Sequence, residues 1–300
     1  MMHISEIVRG RILMLSSAFC FGLMALFTRI AANIPSIEKV FFRSFFGLIL
    51  IGVIIGTARI KIGRPRNVTG LLLRGIFGSL ALLCYFFAID RCGLPKATLY
   101  CYTYPLWATC LAWVELGEKP SRRALWALCL AIAGVILTLD VRQIAGTGLA
   151  VADLVGLSAG VLTGAAIVSV RKLRKNESSW WIVIFFTGTG VLFSLPSTAL
   201  FFSPPTLVEW GLLWLIALMA LVAQLLMTKA YRYVSASEGS MLSLTVVPWS
   251  TLFSIVFLGE VPSLRFYFGA AIVFGAVLVL SLEATKRTQH PDPETVSLID

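Results

Sequence analysis

Arg43 stands inside Phe41-Phe42-Arg43-Ser44-Phe45-Phe46, six residues into an apolar run. A guanidinium in that setting has the chemistry of anion recognition: a permanent charge and a planar fork of N–H donors. Left unpaired in hydrocarbon it costs at least ~3 kcal/mol, so it must snorkel outward, pair with another helix, or line water. The nearest acid in sequence, Glu38, lies five residues earlier. That offset is roughly 140° around a helix, which makes Glu38 a poor partner. Pairing within the bundle and binding of a substrate anion are both open to Arg43. Arg74, about one turn inside its own apolar run, is expected to snorkel.

Other polar residues fall where they could face Arg43 across a cavity. Pro105 and Pro248 sit in the middle of apolar runs. Each removes a helical hydrogen bond, freeing the carbonyls of Cys101 and Leu244. In lipid those groups need protein or a wet cavity. Thr98, Tyr102, Pro105 and Thr109 follow at spacings that share one helix face. Met241, Thr245, Pro248 and Thr251 make a weaker stripe, with Trp249 beside them. Helix–helix contact, with threonine hydroxyls bonding locally, is the plainer role for both stripes. Gln224 is an apolar-run amide in need of partners, and Tyr85 and Tyr102 supply stacking and hydrogen bonding.

All fifteen Asp and Glu residues sit at run ends, in loops or in tails. That argues against a buried proton relay and against a purely cationic substrate, although Glu38, Asp90 or Glu238 could titrate near run ends. An arginine with no buried acid favours a zwitterion or an anion. No catalytic constellation and no cofactor motif is present. The six cysteines (Cys20, Cys84, Cys92, Cys101, Cys110 and Cys129) form no CxxC pair, and both histidines lie in the tails, so a metal site is not expected.

The elements that hold these residues follow from composition. Of 300 residues, 58% are hydrophobic and 13% charged, and mean hydropathy is +0.89. A soluble domain carries about twice that charged fraction. Ten apolar runs are predicted as spans, at about 11–32, 37–57, 69–90, 94–114, 122–140, 151–172, 178–202, 207–232, 236–257 and 263–283, each near the ~20 residues that cross a bilayer. An all-α integral membrane protein is expected, in contact with lipid rather than nucleic acid. The net charge of +10 is explained by loops: with the N-terminus inside, seventeen basic residues fall on the inner side and six on the outer. Both termini are then cytoplasmic. The polar tail 286–300 is expected to be disordered.

The chain also repeats itself. Leu116-Gly-Glu-Lys-Pro-Ser121 returns as Leu258-Gly-Glu-Val-Pro-Ser263, and Pro105 precedes Glu118 much as Pro248 precedes Glu260. Gly134 in the first half answers Gly275 in the second. Two five-helix units, 1–143 and 144–285, explain this. Five is odd, so the second unit enters the membrane from the opposite side, the arrangement of secondary transporters with a binding site between the halves. Glu118 and Ser121, like Glu260 and Ser263, stand where they can cap the following helix. A gating ion pair with an arginine is the alternative for the two glutamates. Gly156, Gly160 and Gly164 make a close-packing strip.

The five-plus-five layout, the twice-written Leu-Gly-Glu-x-Pro-Ser and the FFRSFFGLIL of the second run resemble the drug/metabolite transporter superfamily, EamA-type branch. The resemblance spans nearly the whole chain. It implies ten helices, a central cavity lined by both repeats, and matching roles for Arg43, Pro105, Glu118, Pro248 and Glu260. The second half has no counterpart of Arg43, so the site is expected to be asymmetric. Members of the superfamily export amino acids and other metabolites, import vitamins or S-adenosylmethionine, or exchange nucleotide sugars. The expected function is export of a small amino-acid-like zwitterion or anion across the inner membrane by alternating access, as a monomer or homodimer. Import or exchange of a riboflavin-like or nucleoside-like compound is the alternative. A membrane-embedded enzyme is the remote one.

Overall fold

The computed structural model describes residues 2–60, 62–116, 149–173, 176–230 and 242–289, with a few isolated positions between 122 and 137 and at 233 and 239. Within these residues the chain is helical. The elements are α1 (Met2–Ile30), α2 (Ser36–Thr57), α3 (Val68–Cys92), α4 (Leu94–Cys101), α5 (Tyr104–Leu116), α6 (Leu149–Leu173), α7 (Ser179–Phe201), α8 (Leu207–Ala230), α9 (Val246–Phe253) with a π-helical turn Ser254–Leu258, and α10 (Leu264–Gln289). Six helices among the described residues are long and apolar enough to cross a membrane, and Val246–Leu258 and Leu264–Ala276 are shorter apolar stretches. Helix α10 runs on to Gln289, so the backbone of 286–289 is helical where a polar tail was expected.

Helix starts follow local chemistry. The Asn67 side chain accepts from the Gly70 N–H at 2.8 Å, and Ser178 accepts from Trp180 N–H at 3.3 Å. Thr206 and Glu209 cap α8 reciprocally: the Glu209 carboxylate accepts from Thr206 N–H at 2.7 Å while the Thr206 hydroxyl accepts from Glu209 N–H at 3.4 Å. Gly93, at φ +81°, turns the chain from α3 into α4 within one residue.

The fourth and ninth apolar runs break rather than kink. Tyr102–Thr103 separates α4 from α5, and Leu244–Thr245 precedes α9. Proline explains both breaks: Pro105 and Pro248 lie in the first turns after them, where a missing N–H costs least. The glycine strip of α6 packs against the first break. A Cβ on Gly160 would lie 2.6 Å from the Tyr100 carbonyl oxygen, and Cβ atoms on Gly156 and Gly164 would crowd the Tyr100 ring and Trp107. Only glycine admits that approach.

The most extensive contacts are α3 with α6 and α1 with α8. Helix α2 packs on α7 and α8, and α3 also packs on α7. The largest buried cluster joins side chains of α1, α2, α3 and α4 with Phe186 of α7 and Leu213, Ile216, Ala217 and Ala220 of α8.

Candidate functional site

A cavity of about 130 Å³ lies inside the bundle, roughly ten times the ~10–15 Å³ that one water needs. Every long helix from α1 to α8 contributes to its wall: Ser17 and Phe21 of α1, Arg43 of α2, Arg74 and Tyr85 of α3, Tyr102 and Tyr104 around the break, Thr163 of α6, Phe186 of α7, and Gln224 of α8, with Ser243 from the second break. Its lining residues include no Asp or Glu among those described.

Arg43 and Arg74 dominate it. Each is 4% exposed. Their guanidinium carbons lie 5.0 and 4.6 Å from the centre of the same Phe186 ring. Among the described residues, Nε and Nη1 of both find no hydrogen-bond partner and are buried. Cation–π attraction to Phe186 recovers part of the desolvation cost. Phe186 is held in place by the α3–α7 contact, where small residues let the backbones close. The Ser79 and Thr189 hydroxyls are 3.0 Å apart, and a Cβ on Gly75 would lie 2.9 Å from the Phe185 carbonyl. Gly78, one turn beyond Arg74, leaves the space that the Arg74 guanidinium occupies; a Cβ there would meet Arg74 Nη1.

The rest of the wall is largely apolar, with Met14, Met24, Leu82, Ile167 and Met227 among its residues, and its remaining polar groups are mainly hydroxyls and one amide. Tyr85 Oη and Thr98 Oγ1 are 3.0 Å apart, and Thr98 donates to the Leu94 carbonyl at 2.7 Å. Tyr104 Oη and Ser243 Oγ, 2.8 Å apart, join the two breaks across the bundle. Ser17 donates to the Ala223 carbonyl at 2.7 Å, pinning α1 to α8.

The structure therefore brings Arg43, Tyr85, Tyr102 and Gln224 to one cavity. Thr98 and Pro105 are buried behind its wall. Thr98, Tyr102 and Pro105 do not share one continuous helix face, because the chain breaks at Tyr102–Thr103. Thr245, Pro248 and Trp249 line a different surface, an open apolar groove with Leu15, Ser16 and Phe19 of α1. Pro248 and Phe19 are exposed there. The turn at Leu244–Thr245 aims this stripe away from the cavity. Met241, Glu118 and Ser121, and the side chain of Thr109, lie outside the described residues. Arg74 does not snorkel: it folds inward onto Phe186. Sequence reasoning missed Phe186, Tyr104, Ser17, Thr163 and Ser243, and only the hydroxyl of a residue such as Ser243 beside a proline break offered a signal.

One end of the bundle carries a second set of charges. Glu260 does not cap α10. Its carboxylate takes Arg29 Nε at 2.7 Å, Ser254 Oγ at 2.9 Å and the Leu94 N–H at the start of α4 at 3.5 Å. Gly259, at φ +65°, turns the chain so that this is possible. Arg29 also donates to the Asp90 carbonyl at 2.9 Å. Lys39, fully buried, pairs with Asp90 at 2.5 Å, and Asp90 accepts from Ser36 at 2.6 Å. Lys96 pairs with Asp153 at 2.9 Å. Ser263 accepts from Phe266 N–H at 3.4 Å and caps α10.

The EamA-like transporter family matches the chain twice, over residues 8–140 and 150–282. A pseudopaline exporter of Pseudomonas aeruginosa is 30% identical over 274 residues, covering 91% of this chain and 95% of its own. An uncharacterized transporter of Helicobacter pylori is 27% identical over 93% of this chain and 97% of its own. Solute carrier family 35 member G1 of Mus musculus is 26% identical over 82% of this chain and 71% of its own. A solved crystal structure, 18% identical, superposes with a TM-score of 0.66 over 92% of this chain and 98% of that one, which shows the shared fold. With a family match over both halves and relatives that are transporters rather than enzymes, the chain belongs to the EamA-like transporter family and is a multi-pass membrane transporter of a small molecule.

Proposed function

We propose that the chain is a secondary transporter that exports a small amino-acid-like zwitterion or anion across the cytoplasmic membrane by alternating access. The observation that carries this is the pair of uncompensated arginines in a cavity walled by both halves of the chain. An anionic group entering the cavity supplies the acceptors that Arg43 and Arg74 lack. The tyrosines, Gln224 and the serine hydroxyls offer partners for an amine or hydroxyl on the same molecule. The pseudopaline exporter, with its 30% identity, supports the outward direction.

The transporter works as ten membrane helices in two inverted five-helix repeats, 1–143 and 144–285, both termini in the cytoplasm. Two facts support the repeat, which the odd number of helices in each unit makes an inverted one. A two-fold axis that exchanges each membrane helix with the fifth one after it turns the α3–α6 contact into the α8–α1 contact, and these are the two most extensive in the bundle. The same operation exchanges the break at Tyr102–Thr103 with that at Leu244–Thr245.

Metabolite profiling of cells with and without the chain, followed by uptake into proteoliposomes, tests the function. The expected result is one compound that accumulates outside the cell and crosses the vesicle membrane chemically unchanged. A compound altered in crossing would overturn the reading. Cysteine-accessibility mapping tests the topology: loop positions 116–118 and 258–260 are expected on opposite sides, and labelling from the same side would refute the inverted repeat.

A further inference from the structure

We infer that Arg43 and Arg74 act together as a single dianion site, so the transported compound carries two separate oxyanion groups of the carboxylate type. This rests on the anion-transport reading above and narrows it.

The first argument is a count of charges. Arg43 comes from α2 and Arg74 from α3, each 4% exposed, and among the described residues no lining side chain carries a negative charge. Both guanidiniums attach to one phenyl ring, so they lie within about 10 Å of each other. Two like charges at that range, buried away from bulk solvent, repel. One anionic group would leave one cation uncompensated, and two groups neutralise both.

The second argument is a count of hydrogen bonds. Four buried nitrogens, Nε and Nη1 of each arginine, have no acceptor among the described residues. A carboxylate has two oxygens, so two carboxylates supply the four acceptors these nitrogens need. Among the described residues, neither the hydroxyls of the wall nor the Gln224 amide makes a hydrogen bond to these nitrogens.

The third argument is that the arrangement is built rather than left over. Gly78 clears the space for the Arg74 guanidinium, and the α3–α7 contact through Gly75, Ser79 and Thr189 sets Phe186 within reach of both arginines. The fold also shows that it can pair buried cations where it needs them permanently neutral, as Lys39 with Asp90.

The test compares cells expressing the wild type, Arg43→Gln, Arg74→Gln, or no transporter. Mass spectrometry of cells and medium identifies the compound that the wild type moves, and its acid–base titration counts its acidic groups. The expected compound has at least two. At a fixed concentration of it, each single variant is expected to transport at least tenfold more slowly at normal membrane abundance. A compound with one acidic group or none, or wild-type transport by Arg74→Gln, would overturn the dianion site while leaving the anion reading intact. If no compound moves, the transport reading itself fails. A second measurement guards against misfolding. Without added solute, each purified variant has lost an uncompensated buried charge and is expected to melt at or above the wild-type temperature, by about 2 °C. A clear drop would show that the arginines are structural and would overturn the proposal.

Discussion

The charges at the Glu260 end of the bundle and the charges in the cavity follow opposite rules. At the first, every buried or half-buried cation among the described residues meets a carboxylate: Arg29 with Glu260, Lys39 with Asp90, Lys96 with Asp153. In the cavity two arginines, more deeply buried than Arg29, lie on a phenyl ring and have no carboxylate partner among the described residues. A protein that needs a buried charge for stability supplies the partner itself, because an unpaired one is destabilising. An arginine kept without a partner is held ready for one that arrives from outside. The difference separates structural charge from binding charge more sharply than burial alone does.

The largest effect should come from the paired side. Asp90→Asn strands Lys39, which is fully buried, and is expected to cost about 3–5 kcal/mol of stability. Thermal melts should show most of the loss recovered in the Lys39→Met/Asp90→Asn double variant. A stable Asp90→Asn single variant would erase the contrast between the two regions. Next, Arg43→Lys keeps the charge but loses the planar fork. Apparent substrate affinity should weaken about tenfold, ~1.4 kcal/mol, at near-normal membrane abundance. Unchanged affinity in a well-folded Arg43→Ala would show that the cavity arginine binds nothing. Gly78→Ala, which pushes on the Arg74 guanidinium without removing it, should weaken affinity about threefold to tenfold, on the order of 1 kcal/mol. Transport kinetics in vesicles would read this, and an effect as large as that of Arg74→Gln would mean that Phe186, also close to Gly78, had moved instead. The smallest effect is assigned to Arg29 and Glu260, whose side chains remain 25% and 28% exposed. A double-mutant cycle with Arg29→Gln and Glu260→Gln should give a coupling of about 1 kcal/mol or less. A coupling as large as that of Lys39 with Asp90 would place this pair among the buried ones.

Much of the fold was legible. Apolar runs of membrane length announce themselves in any window, and the described helices begin and end within a few residues of most predicted spans. The proline positions marked the two interruptions, and the Gly156–Gly160–Gly164 strip marked a close contact, because backbone chemistry is local. The site was legible only in part. Arg43 stood out since nothing apolar explains a guanidinium there. Arg74 was misjudged: one turn from a run's end, sequence position favours snorkelling, and only the packing of α7 against α3 shows a phenyl ring waiting inside. Phe186 had no signal, being one aromatic among twenty phenylalanines. Trp249 and Pro248 lie in the groove beside α1 rather than in the cavity, and sequence could not show this for a different reason. Lipid and bundle core are equally apolar, so sequence does not say which face of a membrane helix looks inward. Glu260 lay beside a helix start, yet its partners come from α1 and α4, far away in sequence.

The two uncompensated guanidiniums also make the cavity an electrical element. A membrane potential does ~2.3 kcal/mol of work per elementary charge and 100 mV when that charge crosses the whole field. Walls that carry Arg43 and Arg74 through even part of that field feel the voltage when empty. On the dianion proposal, a bound dianion would cancel the force and leave the loaded carrier indifferent to it. The empty return stroke is then the step that the cell's own potential speeds or slows, and transient currents in substrate-free membranes that vanish on loading would be its signature.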